Sequence, residues 1–304
     1  MRRRFLLIVN PGAGLTGSSL VEDTVRALAA AGACVSRIEP AAAHAATQAA
    51  QAAARSGQYD AIVAAGGDGT IRHVVAGIIG TGMPLGIVPV GTANVLAHEI
   101  GLQPRAAPIA RMLLHGQAIT VAAGRANGAP FMLMVGAGFD ARVVAALDHR
   151  FKSRVGKVAY AGPLLGALVR PIDTLAVNID GRHQEASWAV VSNARHYGGR
   201  FVMAPRAGIL ERGLQAILFK ARTRPVLIGQ LMSLAMGTLD ARASRRGDVE
   251  MLTCARVSIT AHHAVPTQID GDAFGSTPLE IEADAGDLAL IVPQPRPASA
   301  TVGH

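Results

Sequence analysis

The chain has 304 residues, a formal net charge of +8, and 50% hydrophobic but only 4% aromatic residues. That length exceeds one ordinary core and predicts two domains, and the Ala- and Gly-rich bulk argues against a disordered or fibrous chain. Two isolated cysteines, Cys34 and Cys254, have no CxxC or metal spacing. They exclude a disulfide scaffold and are expected as reduced residues in core elements of a cytoplasmic protein.

Met1-Arg2-Arg3-Arg4 followed by an apolar run has the opening of a signal peptide, but the run stops at Asn10-Pro11-Gly12 without a cleavage site. Residues 5–9 therefore read as a first strand, which empties into Asn10-Pro11-Gly12-Ala13-Gly14 before a helical pattern near Ser18. Residues 61–65 read as a buried strand running into Gly66-Gly67-Asp68-Gly69-Thr70, again with a helical pattern behind. Residues 85–90 repeat the unit, ending in Gly91-Thr92-Ala93-Asn94 before helix-like residues 95–100. Glycines at such turns let main-chain N–H groups approach an anion, and the following helix adds its positive end. In an open parallel sheet these loops gather at the carboxyl ends of the strands, where ligands bind. Asp68 would repel a phosphate unless a cation or a hydrogen-bond network holds it. Metal-nucleotide chemistry and an ordinary capping Asp both satisfy that condition.

Ala-rich helical patterns at 21–31, 41–54, 71–79 and 108–116 alternate with these strands, the rhythm of βαβ units. After residues 120–125 the pattern changes to short β-like runs at 130–136, 174–179, 188–192, 215–220, 256–261 and 279–283. Helical segments around 143–147 and 155–169 interrupt them. The expected fold is an α/β domain with a parallel sheet and helices on both faces, followed by a mainly antiparallel β-sandwich. The expected division is 1–121 for a nucleotide-binding domain, 122–292 for an acceptor domain, and 293–304 for a Pro-rich tail, disordered at its end. Residues 226–239, interrupted by Gln230 and Ser233, fall short of the roughly 18 apolar residues of a spanning helix and read as a buried or interfacial helix.

Positive charge is concentrated in the second half. Asp148 is the only acid between Arg142 and Lys157, against Arg150, Lys152 and Arg154 as well as those two. Arg195, Arg200, Arg206, Arg212, Lys220, Arg222 and Arg224 follow, against the single acid Glu211. An anionic membrane attracts such patches at about 1 kcal/mol per basic side chain, although a merely solvated basic face has the same composition. Nucleic acid is not expected, because no aromatic interleaving or recognition motif accompanies the charge. His262-His263 and the scattered histidines form no nucleophile or zinc arrangement, so hydrolase and zinc chemistry are set aside.

The three loops together resemble the nucleotide-binding loops of the diacylglycerol kinase catalytic-domain family, which includes bacterial lipid kinases and sphingosine and ceramide kinases and is more distantly similar to NAD kinases. Gly136-Ala137-Gly138-Phe139-Asp140, Ser192-Asn193-Ala194-Arg195-His196-Tyr197-Gly198-Gly199, Ala204-Pro205-Arg206-Ala207 and Ile269-Asp270-Gly271-Asp272 resemble later motifs of that family, in order. The resemblance implies an NAD kinase-like first domain and an ATP-dependent kinase that phosphorylates a hydroxyl of a diacylglycerol-like or sphingoid lipid. ATP would lie on Asn10, Pro11, Gly12, Gly14, Gly66, Gly67, Asp68, Gly69, Thr70, Thr92 and Asn94, in the cleft between the domains. Asp68 would join the catalytic set, holding the ATP-bound Mg2+ through water or orienting the acceptor. Asp270 and Asp272 would be the catalytic acids, with Asp272 the base where relatives have Glu; without the resemblance, Asp270-Gly271 reads as a hairpin turn. The expected setting is cytoplasmic, with peripheral attachment to an anionic membrane, and a homodimer stays open. A soluble-acceptor kinase and a non-catalytic nucleotide sensor are the alternatives. Two departures stand out. Arg212 occupies the position where many bacterial members place an Asp that binds a structural magnesium, which implies no such site here, and Glu39 lies near a nucleotide-contacting Thr of relatives.

Overall fold

The computed structural model describes residues 1–10, 15–147, 161–211 and 213–294. Pro11, Gly12 and Gly14 of the first loop lie outside them, as do Arg212 and the basic residues Arg150, Lys152, Arg154 and Lys157.

The first half alternates strand and helix: β1 (Arg4–Val9), α1 (Leu15–Ala30), β2 (Cys34–Ile38), α2 (Ala43–Ser56), β3 (Ala61–Gly66), α3 (Asp68–Ile78), β4 (Leu85–Pro89), α4 (Val95–Glu99), α5 (Ala106–His115) and β5 (Gln117–Ala122). β1, β3 and β4 are apolar runs without alternation because helices cover both faces of the sheet, so inward and outward positions are equally dry. α1 packs on α5, and α2 on α3.

The second half begins with β6 (Gly124–Ala126), β7 (Ala129–Phe131), β8 (Met134–Ala137) and α6 (Phe139–Ala145), then α7 (Ala161–Val169), β9 (Leu175–Ile179), β10 (Arg182–Ala186), β11 (Trp188–Ser192), β12 (His196–Tyr197), β13 (Phe201–Val202) and β14 (Leu214–Phe219). α8 (Arg224–Ala235), α9 (Leu239–Arg246), β15 (Val249–Cys254), β16 (Arg256–Ala261), β17 (Pro266–Ile269), β18 (Asp272–Ser276), β19 (Leu279–Glu282) and β20 (Asp287–Val292) complete it. Two six-stranded antiparallel sheets, β10-β9-β16-β19-β6-β7 and β15-β14-β11-β8-β17-β18, stack on one another. The second of these has a hydrophobic core on each side. Ala189, Val191, Ala216 and Leu218 face the sandwich interior, whereas Trp188, Val190, Ile217 and Phe219 join the core that continues into the first domain. The period of two thus explains why β11 and β14 are buried at every position. Trp188 and its cross-strand partner Phe219 stack with ring centroids 3.8 Å apart.

Three expectations are corrected. β20, assigned from sequence to the second domain, pairs parallel with β4 and antiparallel with β5, giving a first sheet of order β2-β1-β3-β4-β20-β5. A strand's apolar pattern does not say which sheet it joins. Cys34 is exposed, on the edge strand β2, whereas Cys254 is buried and its thiol is pushed up to about 12 by burial. Residues 226–239 are not one helix: the chain turns at Gly237 (φ 69°) between α8 and α9.

Candidate active site

The loop after β3 and the loop after β4 are packed back to back. A Cβ on Gly91 would lie 2.4 Å from the Gly67 Cα, so the approach of these two backbones requires glycine. α3 begins at Gly67 with no side-chain cap. The first N–H groups of a helix have no intrahelical acceptor, and with the dipole they make its start a site for an anion. Asn10 Nδ2 donates to Thr70 Oγ1 at 3.0 Å, and Asn10 N donates to Ala65 O, so the first loop is anchored on the start of α3. Thr92 sits half-buried in the bend before α4.

Two residues expected to contact nucleotide or metal also hold the protein's own loops and helices together. Asp68 Oδ2 accepts the N–H of Val95 at 3.0 Å, and Oδ1 accepts that of Leu96 at 3.2 Å. It caps α4 from the first residue of α3, so its carboxylate is satisfied by backbone donors. Asn94, in the left-handed region at φ 49°, accepts Gly91 N–H with Oδ1 and donates to Gly91 O with Nδ2, each at 2.8 Å. Its amide closes its own loop.

Asp270 and Asp272 separate in role. Ile269 pairs with Asp272 across β17 and β18, leaving Asp270 (φ 49°) and Gly271 (φ 83°) as a two-residue turn, the type I′ signature of Asp-Gly. Asp270 is buried and accepts N–H bonds from Met132, Leu133 and Met134 at 2.9, 2.9 and 3.0 Å. Burial pushes its carboxyl up to about 6, against those amides and the Arg72 charge. Asp270 thus anchors the turn through three backbone amides. Asp272, half-buried at the other end of that turn, reaches across to the first domain. A Cβ on Gly69 would lie 2.4 Å from Asp272 Oδ2, so the carboxylate rests on the first turn of α3.

Sequence reasoning missed Arg72, whose Nη2 lies 3.2 Å from Asp272 Oδ2. The side chain is largely buried, and its Nε meets no acceptor among the described residues. Its signal was available: Arg72 is three residues beyond Gly69, on the same face of α3. A second missed connection is Glu99, whose Oε1 accepts His196 N–H at 2.7 Å and lies 2.6 Å from His196 Nδ1. The same α4 that Asp68 caps is thereby bound to the Asn-Ala-Arg-His stretch of the second domain. Behind the hairpin, Asp140 Oδ2 accepts Gln268 Nε2 at 3.0 Å, and Gln268 Oε1 accepts Gly271 N–H at 2.9 Å. Burial also pushes Asp140 up to about 6, opposed by the Ala141 and Gln268 donors. Glu39 is paired with Arg37 at 2.6 Å.

The model of the diacylglycerol kinase catalytic domain matches residues 4–126, and that of the YegS C-terminal NAD kinase beta sandwich-like domain matches residues 133–292. An uncharacterized protein of Synechocystis sp. is 26% identical over 246 residues, 76% of this chain but 54% of that protein, so the chain spans about half of its length. A diacylglycerol kinase of Mycobacterium tuberculosis is 29% identical over 259 residues, 80% of each chain. The crystal structure of a diacylglycerol kinase from Bacillus anthracis str. Sterne superimposes with a TM-score of 0.73 at 22% identity, covering 96% of this chain and 97% of that one, a likeness of fold. With both family models in order along nearly all of its length, the chain belongs to the diacylglycerol kinase catalytic-domain family and carries its YegS-type β-sandwich.

Proposed function

We propose that this protein is an ATP-dependent lipid kinase that transfers the γ-phosphate to a hydroxyl of a diacylglycerol-like or sphingoid lipid. One observation carries the reading: the β17–β18 turn of the second domain delivers Asp272 onto the first turn of α3, beside the uncapped start of that helix. Phosphoryl transfer needs an anion cradle, positive charge and an acid that can take the acceptor's proton, all at one place. The triphosphate lies along the loops after β1, β3 and β4, held by backbone donors and the hydroxyls of Thr70 and Thr92. Asp272 takes the hydroxyl proton as the acceptor oxygen bonds to the γ-phosphorus and the bond to the ADP oxygen breaks. Arg72, already within reach of Asp272, adds positive charge where the transferred phosphoryl passes. Asp68 acts by holding α4, and with it the third loop, in place.

Among the described residues no three His, Cys, Asp or Glu side chains converge, and both Asp68 oxygens accept α4 amides. The donor set therefore does not fit an ion held by the protein alone, and no step here is assigned to one. The nucleotide half consists of residues 1–121 with β20 added, and the acceptor half of the remaining strands between them. We place the protein on the cytoplasmic face of an anionic membrane, where its lipid acceptor resides. Among the described residues no helix is long and apolar enough to cross that membrane.

The test is Asp272→Asn, assayed with labelled ATP and a lipid extract beside direct measurement of nucleotide binding. Transfer should fall by orders of magnitude while ATP affinity stays within a few-fold, because a base acts mainly in the transition state. If the parent binds ATP and labels no lipid, the sensor reading replaces this one; labelling of a water-soluble acceptor replaces the acceptor class.

A further inference from the structure

α8 lacks the polar outer face expected of a helix on the surface of a water-soluble domain. Its inward face holds Gln230 and Ser233, both buried, along with Leu227 and Leu234. Gln230 Nε2 donates to Asp248 O at 2.7 Å, and Ser233 Oγ donates back to Gly229 O at 2.9 Å. The outward side carries Ile228, Met232 and, at the C-cap, Met236, at the four-residue spacing of one helical stripe. Two polar side chains are thus taken out of water while three large apolar ones stay in it, an arrangement that is unfavourable unless something apolar covers the stripe.

The stripe has a neighbour. Arg224, the first residue of α8, donates from Nη2 to Val169 O, the last residue of α7, at 2.8 Å. α7 leaves Leu165 and Val169 exposed, so two helices whose apolar side chains face water meet at this bond. Leu165, Val169, Ile228, Met232 and Met236 are 44–69% exposed. Charge then selects the occupant. Arg170 and Arg224 are exposed at the junction, Arg222 is exposed two residues before α8, and residues 161–172 and 221–238 contain no Asp or Glu. Apolar side chains beside cations and without acids are the composition of an interfacial element, in which the apolar atoms enter the acyl boundary and the guanidiniums meet headgroup phosphates. Methionine suits this position because its unbranched thioether adapts to a fluid surface.

We infer that α7 and α8 form the membrane-docking edge of this protein, inserting the Leu165–Val169 and Ile228–Met232–Met236 side chains into the interface of an anionic bilayer. The inference deepens the lipid-kinase reading by naming the surface that presents the acceptor domain to its lipid. It does not use the phosphoryl-transfer residues, so the two can fail separately.

The test compares the full-length parent with Met232→Glu/Met236→Glu and with Arg222→Gln/Arg224→Gln, all confirmed folded by circular dichroism. Co-sedimentation uses vesicles of phosphatidylcholine alone and of equal parts phosphatidylcholine and phosphatidylglycerol. The parent should bind the mixed vesicles, and the Met double variant should lose about tenfold or more in binding at every salt concentration. The Arg double variant should lose binding at low salt and show a weaker salt dependence than the parent. Phosphoryl transfer to acceptor dispersed in detergent micelles should stay near the parent's level in both. Vesicle binding unchanged by the Met substitutions would overturn the inference, as would equal parent binding to neutral vesicles. A parent dimer in sedimentation velocity that only the Met variant dissociates would also overturn it, assigning the stripe to a second copy of the chain. Failure of the parent to label any lipid while it binds vesicles as described would defeat the kinase reading and leave the docking edge standing.

Discussion

Asp140 and Asp270 are both fully enclosed carboxylates that burial pushes up to about 6, and each holds a different part of the turn that carries Asp272. A carboxyl whose folded pKa is raised stays protonated where the unfolded chain has already ionised. Its contribution to stability is full below the unfolded value near 4 and is lost as pH rises through about 6. Between about pH 5 and about pH 7 each group should lower stability by on the order of 1 kcal/mol. His73, whose pKa burial lowers, acts with the opposite sign in part of that window, so the decisive quantity is a difference between proteins. Asp60, held low at about 2 by the Arg3 amide and the Arg4 side chain, acts only at lower pH. Asp140→Asn should therefore unfold in urea with a smaller loss of stability from pH 5 to pH 7 than the parent, by roughly 1 kcal/mol. Parallel pH profiles for the two proteins would mean that Asp140 is ionised throughout.

At the scale of elements, the site is an encounter between α3 and the β17–β18 hairpin, and Gly69 is the contact. Alanine is favoured over glycine inside a helix, by about 1 kcal/mol, so Gly69→Ala should not harm α3 itself. Its new methyl, however, would lie 2.4 Å from Asp272 Oδ2 and must push the carboxylate, and with it the Arg72 pair, off the helix. The expected result is a protein with an unchanged or raised melting temperature and transfer reduced by about 100-fold, since small displacements of reacting groups are costly. A fully active Gly69→Ala protein would show that Asp272 works from some other position. Asp68 ties α3 to α4, and Glu99 of α4 is bound to His196, so α3 through Arg72 and α4 through Glu99 both have a polar connection to the second domain.

For the molecule as a whole, the chain leaves the first domain after β5 and re-enters it at β20. Arg125 holds the two crossing segments together by donating to Ala285 O at 2.9 Å. Because β20 lies between β4 and β5, residues 1–126 alone would lack the strand joining two edges of the sheet, together with Leu288, Leu290 and Ile291 of the core. A chain ended after residue 286 should consequently fail to fold cooperatively, with early protease cleavage and no sharp thermal transition. Addition of a peptide of residues 287–294 should restore part of the protection. A stable, cooperatively melting 1–126 fragment would show that the family-model boundary at residue 126 is also a folding boundary.

Periodicity and loop chemistry by themselves determined that β1, β3 and β4 are buried parallel strands ending in anion-suited loops, and that the second half is antiparallel. Those properties are local, written in apolar runs, alternation and glycine-rich turns within a few residues of one another. The motif order also made the family legible. Only the tertiary structure decided what the polar residues of those motifs touch. Asp68 and Asn94 carry the side chains of ligand contacts, yet both bond backbone groups, brought from α4 and from the loop's own ends. Asp270 and Asp272 are one residue apart, yet one is enclosed by three amides and the other rests on a helix some 200 positions earlier in the chain, where Arg72 waits. The membership of β20 and the exposed apolar side chains of α8 were equally beyond local pattern, since a strand's partner and a helix's environment depend on contacts distant in sequence. Short-range sterics and hydrophobic spacing are encoded residue by residue; the pairing of charges and the choice of neighbours arise only when the chain closes on itself.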